Sequence, residues 1–263
     1  MVAPAPKAGI AVEFCVDSLS SALSAQTAGA ARVELCCGLS CGGLTPSAGL
    51  IKAVRAALRI PLHVLIRPRA GDFLYDEQEL LVMREDITAA AELGANGIVA
   101  GVLTREGEVH VPQLSELILL CRSLDLDFTF HRSFDMVRSQ REALEALISC
   151  GVPRVLTSGG SQTALQGSMA IAALVRQARG RISVMAGGGV RPKNVESLVR
   201  LTGVSVVHSA CSRPVESRMW YRTSSLRLGS DEDADWTWAA LDEAAAFSLA
   251  FSVSLELEFG KVI

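Results

Sequence analysis

Along the chain, short apolar runs alternate with longer Ala/Leu-rich stretches whose apolar positions recur every three or four residues. The runs fall at Ala11–Val16, Arg32–Cys36, Leu62–Ile66, Gly97–Val102, Asp127–His131, Arg154–Thr157, Ile182–Met185 and Ser205–His208. Ser18–Ala28, Glu77–Leu93 and Glu142–Ile148 are examples of the helical period between them. The pairs Gly29-Ala30, Gly94-Ala95, Gly151-Val152 and Gly203-Val204 each place a glycine where a helix can stop in a left-handed cap before the next strand. Strands this continuously apolar belong in a parallel sheet covered on both faces. Eight such units in about 250 residues predict a single α/β domain, a (β/α)8 TIM barrel spanning residues 11–245. An open doubly wound sheet is the runner-up.

The two ends depart from this rhythm. Residues 1–10 are expected to form a disordered N-terminal segment. From Phe247 to Phe259 every odd position is Phe, Leu or Val, and every even one is Ser, Ala or Glu. That period of two reads as a half-buried strand rather than a last helix. A lone strand outside a closed barrel needs a partner, so residues 246–263 are expected to be an irregular tail without a catalytic role.

Composition narrows the class of function. The 263 residues are 49% apolar and 20% charged, and 25 Lys+Arg against 28 Asp+Glu give a formal charge of −3. A near-neutral chain lacks the electrostatic footprint of a nucleic-acid binder. No stretch of about 20 predominantly apolar residues offers a membrane span. The first ten residues lack the basic-then-apolar build of a secretory signal, so the expectation is a soluble intracellular protein, cytoplasmic and also nuclear. Seven cysteines, an odd number with no CxxC pair, point to free thiols in a reducing compartment and away from a zinc ribbon. Cys121 and Cys150, at helix-like ends, read as packing residues.

In such a barrel the chemistry sits where strands end. Strand one ends Glu13-Phe14-Cys15-Val16-Asp17 and strand two Glu34-Leu35-Cys36-Cys37-Gly38, so Glu-x-Cys recurs after 21 residues. Strand three runs into Arg67-Pro68-Arg69-Ala70-Gly71-Asp72, and strand five ends Thr129-Phe130-His131-Arg132. Alternation puts Glu13 with Cys15, Glu34 with Cys36 and Thr129 with His131 on common faces. The two glutamates are either proton-transfer groups or the buried partners of Arg67 and Arg69. His131 is either a functional group or a packed histidine. Gly187-Gly188-Gly189 and Ser209 follow strands seven and eight, where glycine-rich backbone commonly receives an anion in this fold; simple tight turns are the other reading.

At these residues the sequence resembles the CutC copper homeostasis family, across roughly residues 11–245. The matching blocks include Glu13-Phe14-Cys15-Val16-Asp17-Ser18, Arg32-Val33-Glu34-Leu35-Cys36, Gly42-Gly43-Leu44-Thr45-Pro46-Ser47 and Ile66-Arg67-Pro68-Arg69-Ala70-Gly71-Asp72-Phe73. Further on come Thr129-Phe130-His131-Arg132-Ser133-Phe134-Asp135, Arg154-Val155-Leu156-Thr157-Ser158-Gly159 and Met185-Ala186-Gly187-Gly188-Gly189. Cys37 and Cys41 are thiols beyond the family's pattern. The resemblance implies a TIM barrel, a homo-oligomer (dimer or tetramer), a cytosolic location and a role in copper handling.

Three functions are weighed. In the first, the protein binds Cu(I) through Cys15 and Cys36. Their strands are expected to be neighbours, thiolates are soft ligands, and Arg67 or Arg69 is expected to lower the thiol pKa. In the second, it is an enzyme on a small anionic or phosphorylated substrate, with His131 and Glu13 or Glu34 in proton transfer. Both readings share an expected anion pocket of Arg67, Arg69, Asp72, Ser158, Gly188, Gly189 and Ser209. The third is a non-catalytic interaction protein.

Overall fold

The structure, a computed structural model, describes residues 9–223, 226 and 235–259, with backbone alone for 254–259. Eight parallel strands close into a barrel: β1 (Ala11–Val16), β2 (Arg32–Leu35), β3 (Leu62–Leu65), β4 (Gly97–Ala100), β5 (Asp127–Phe130), β6 (Arg154–Thr157), β7 (Ser183–Gly187) and β8 (Val206–Ser209). Closure is made by β8 against β1, in a register that sets Glu13 opposite His208. On the other side of β1, Cys15 stands opposite Glu34 of β2. Phe14, Val33, Leu35, Val64, Ile98, Phe130, Val155 and Val207 are buried in the main core with the surrounding helices. The alternate residues face the barrel interior, where Cys15, Cys36, Leu65 and Val99 form a small separate cluster near the mouth.

Seven helices follow the first seven strands: α1 (Leu19–Thr27), α2 (Ala48–Ala57), α3 (Glu77–Glu92), α4 (Val111–Ser123), α5 (Gln140–Ser149), α6 (Ser168–Ala178) and α7 (Pro192–Thr202). Their starts are chemically marked. Ser18, Ser47 and Ser139 each accept a backbone N–H of the first turn, and Asp76 with Glu79 forms a capping box. The stops expected at glycine are present: Gly203 ends α7 at φ +70°, and Gly29, Gly94 and Gly151 share the left-handed conformation.

The C-terminal region corrects the sequence reading. After β8 the chain forms an antiparallel hairpin, β9 (Ser212–Glu216) with β10 (Thr237–Leu241), and then α8 (Glu243–Phe259), which packs against α7 and α1. The expected strand-like or irregular tail is therefore the barrel's eighth helix. Its buried residues are Ala246, Leu249 and Val253, a helical stripe, whereas Phe247 and Phe251 are exposed and stack on each other with centroids 6.3 Å apart. Ala246, Leu249 and Val253 follow one another at spacings of three and four, so burial takes the period of a helix rather than the period of two seen in the sequence. Most of the N-terminal segment, residues 1–8, lies outside the described residues. No described helix is long and apolar enough to cross a membrane.

Candidate functional site in the barrel mouth

The interior ends of β1, β2 and β8 bring together two thiols, two carboxylates and an imidazole. The Sγ atoms of Cys15 and Cys36 are 3.5 Å apart, and both cysteines are free. Cys15 Sγ lies 3.6 Å from Glu34 Oε1, and ligand atoms of Cys15, Glu34 and His208 all fall within 4.8 Å of one another. Behind them Glu13, fully buried, accepts from His208 Nδ1 at 2.7 Å and is paired with the Arg32 guanidinium. The ion pair that the sequence allowed with Arg67 or Arg69 is made instead by Arg32, its register partner on β2.

This placement divides the two carboxylates electrostatically. Burial opposes ionisation of Glu13, but the His208 hydrogen bond and the Arg32 charge outweigh it and hold the carboxyl well below its ordinary range. Glu34 has no such pair of partners. Burial pushes its pKa up to about 7, His208 offsets this in part, and the Glu13 charge adds to it. Glu34 Oε2 has no hydrogen-bond partner. His208 is disfavoured as a cation by burial, yet its bond to Glu13 and the Glu34 charge raise its pKa on balance. The Cys15 thiol is pushed up by its hydrogen bond with Cys36, by burial and by Glu34. No arginine is among the causes of the Cys15 shift, so the expected lowering of this thiol by arginine is not found. Arg67 donates to the carbonyls of Cys41, Gly43 and Gly71, and Arg69 is drawn onto Glu79 in the first turn of α3.

A cavity of about 260 Å³ opens above this cluster. Its wall includes Cys15, Glu34 and His208 together with Arg67, His131, Arg132, Gly188, Gly189 and Ser209. Glu13 does not line it. Arg69 and Asp72, expected in the anion pocket, lie outside; they pair with each other at 2.9 Å, and Asp72 is 70% exposed. Ser158 stands just behind the wall, its hydroxyl engaged by Arg132, Asp135 and the Ser161 carbonyl. Ser209 lines the cavity but donates its hydroxyl to the Val190 carbonyl. His131 accepts from the Ser133 N–H through Nδ1, its Nε2 is unpartnered, and burial together with Arg67 pushes its pKa down to about 3, so the ring is neutral. The additional thiols stay apart from the pair: Cys37 donates to the Thr45 carbonyl, and Cys41, exposed, to that of Gly38.

Two residues of this candidate site escaped the sequence reading. His208 was visible only as a strand end, although barrel closure alone sets β8 beside β1 and its imidazole beside Glu13. Arg132 was visible only as part of a motif; its place depends on Asp135, three residues on, to which its Nε donates at 2.8 Å.

Fold and mouth together define a parallel (β/α)8 barrel with a thiol, carboxylate and imidazole cluster at the C-terminal ends of its strands. The chain belongs to the CutC family, whose model matches residues 10–213. It is 44% identical over 231 residues to the human copper homeostasis protein cutC homolog, covering 86% of this chain and 84% of that one. Identity to the family protein CutC of Vibrio parahaemolyticus is 41% over 225 residues, covering 86% and 91%. Among solved structures, a CutC protein from Streptococcus agalactiae superposes with a TM-score of 0.73 at 35% identity, covering 76% of this chain and 98% of that one. Phosphoribosylanthranilate isomerase from Thermotoga maritima, at 14% identity and a TM-score of 0.54, shares the barrel fold.

Proposed function

We propose that the protein binds Cu(I) at the barrel mouth and acts in copper homeostasis, with Cys15 and Cys36 as the principal ligands. The observation that carries this is the 3.5 Å approach of two free thiols from neighbouring strands, beside a glutamate and a histidine within 4.8 Å of Cys15. The donor set suits the ion: thiolates select a soft monovalent metal over harder divalent ones. The unpartnered Glu34 Oε2 leaves this carboxylate available to a cation, and Glu13 fixes the orientation of the His208 ring. With the thiol pKa raised, binding releases protons, so affinity rises with pH.

The test is an anaerobic Cu(I) titration against a competing chelator, on the unmodified chain and on Cys15→Ser, Cys36→Ser and Cys41→Ser. Loss of about one equivalent in either of the first two, with none in the third, is expected. Unchanged stoichiometry in both strand variants would assign any copper to the loop thiols and end this reading.

The second reading, an enzyme on a small anionic substrate, is favoured by His131 and Glu34 lining one cavity. Glu13 serves it only through His208. Native mass spectrometry of protein purified from cells separates the two readings, since a retained metabolite supports the enzyme and a retained copper ion the first reading. We also propose a cytoplasmic homo-oligomer, dimer or tetramer. The exposed aromatics Trp220, Tyr221 and Trp238 around the hairpin supply apolar surface for it. Sedimentation of a monomer alone at micromolar concentration would remove that proposal.

A further inference from the structure

The same cavity wall also carries groups suited to the opposite charge. Arg67 is 94% buried and forms no ion pair among the described residues; it donates to the carbonyl oxygens of Cys41, Gly43 and Gly71, and its guanidinium lies over the Phe73 ring at 5.0 Å. Its Nε is unpartnered, as are His131 Nε2 and Ser133 Oγ, and all three residues line the cavity. Three buried polar side chains around one cavity, each with an unpartnered atom, are more than a folded chain leaves without cause.

The backbone adds donors at the same wall. Among the described residues, the N–H groups of Gly188, Gly189, Val190 and Ala210 donate to no protein acceptor, and all four residues line the cavity. Gly188 has φ +106°, and a Cβ there would stand 3.3 Å from Arg132 Cζ and 3.4 Å from its Nη1. Glycine therefore both allows the turn and admits the guanidinium against the backbone. Arg132 is held in that place by two of its three nitrogens, Nε on Asp135 and Nη2 on Ser158 Oγ. Nη1 is left over. Asp135 itself is fully occupied by Thr157, the N–H groups of Ser158 and Gly160, and Gln140.

We propose that the cavity holds an oxyanion site, formed by the free backbone N–H groups of the 188–190 loop and Ala210 with the guanidinium groups of Arg132 and Arg67. It receives the phosphate or carboxylate group of a small molecule. A buried cation without a counter-ion, a guanidinium fork braced with one nitrogen spare, and adjacent unpaired N–H groups are the components of oxyanion recognition. The site includes neither thiol, so it does not depend on the copper reading.

The experiment is isothermal titration of metal-free protein with inorganic phosphate, with acetate in a parallel arm and chloride at matched ionic strength as the blank. Saturable binding at one site per chain is expected, and the tighter of the two arms identifies the ligand as a phosphate or a carboxylate. Arg132→Gln should weaken binding by about tenfold or more, the effect of losing a charge-assisted hydrogen bond. Gly188→Ala tests the backbone cradle in the same way, and thermal unfolding of each variant reports whether it is folded. Arg132→Lys keeps the charge without the fork, and should recover only part of the affinity if the variants are folded. Absence of saturable binding by both anions, or unchanged affinity in folded Arg132→Gln, overturns the proposal.

Discussion

Glu34 and Asp135 are both carboxylates at the mouth end of one barrel, and they are opposites. Asp135 receives hydrogen bonds from Thr157 Oγ1 at 2.5 Å, the N–H groups of Ser158 and Gly160, Gln140 and Arg132, and these lower its pKa although burial raises it. Glu34 has a distant thiol on one oxygen and nothing hydrogen-bonded to the other, and its pKa rises to about 7. A saturated buried carboxylate is a brace; an unsaturated one is a stored vacancy for a cation or a proton. The difference separates a carboxylate that holds loops and a guanidinium in place from one left open to a cation or a proton.

The strongest challenge to that contrast is Asp135→Ala. It strands the Arg132 guanidinium and two backbone N–H groups, and should cost about 3–5 kcal/mol in urea denaturation. A loss under about 1 kcal/mol would show that the brace is ornamental.

The neutral histidine in the same wall gives a pH-dependent measure of how closed the mouth is. The His131 pKa falls from an ordinary 6.5 to about 3. Its contribution to stability is thus complete above pH 6.5 and is lost as pH falls through the window below it. By pH 4.5 the loss should reach about 2–3 kcal/mol, at about 1.4 kcal/mol per unit. His131→Gln should flatten that acid limb in denaturation series from pH 7 to 4.5.

Glu34 tilts the curve the other way. Its folded pKa of about 7 lies above the ordinary 4.5, so its stabilising proton is fully present below 4.5 and lost as pH rises toward 7. Glu34→Gln should therefore gain on the unmodified chain across that window, by about 3 kcal/mol at its upper end. Denaturation midpoints at pH 5 and pH 7 measure the crossing; a constant difference would place Glu34 with the braces. The smallest effect is expected at Cys41. Exposed in the loop, it should be alkylated first by iodoacetamide, and Cys41→Ser should change stability by less than about 0.5 kcal/mol.

The barrel was legible because the strands are short, mostly apolar runs and most of the helices between them are punctuated by serine, aspartate or glycine. Glu13 and Cys15 could be paired on one face from parity alone. Which arginine would meet Glu13 was not legible: Arg32 owes its role to interstrand register, while Arg67 and Arg69, adjacent in every motif, are claimed by loop carbonyls and by Glu79. The hairpin was hidden because β9, Ser-Arg-Pro-Val-Glu, has neither apolar alternation nor a short turn to β10. Helix α8 was hidden because apolar residues at every odd position mimic a strand, while among the described residues the helix buries only Leu249 and Val253 of these, together with Ala246.

The placement of α8 and β8 also sets an order of events during synthesis. The two thiols are separated by 21 residues, whereas Glu13 meets His208 only after 195. Domains form as the chain emerges from its N-terminus, so β1 and β2 leave the ribosome with both cysteines long before the strand that closes the barrel and the helix that covers the seam. A nascent chain thus carries an open, unpaired β1 edge beside a soft-metal donor pair. Its protection from oxidation in that interval falls to the surrounding cell rather than to the finished fold.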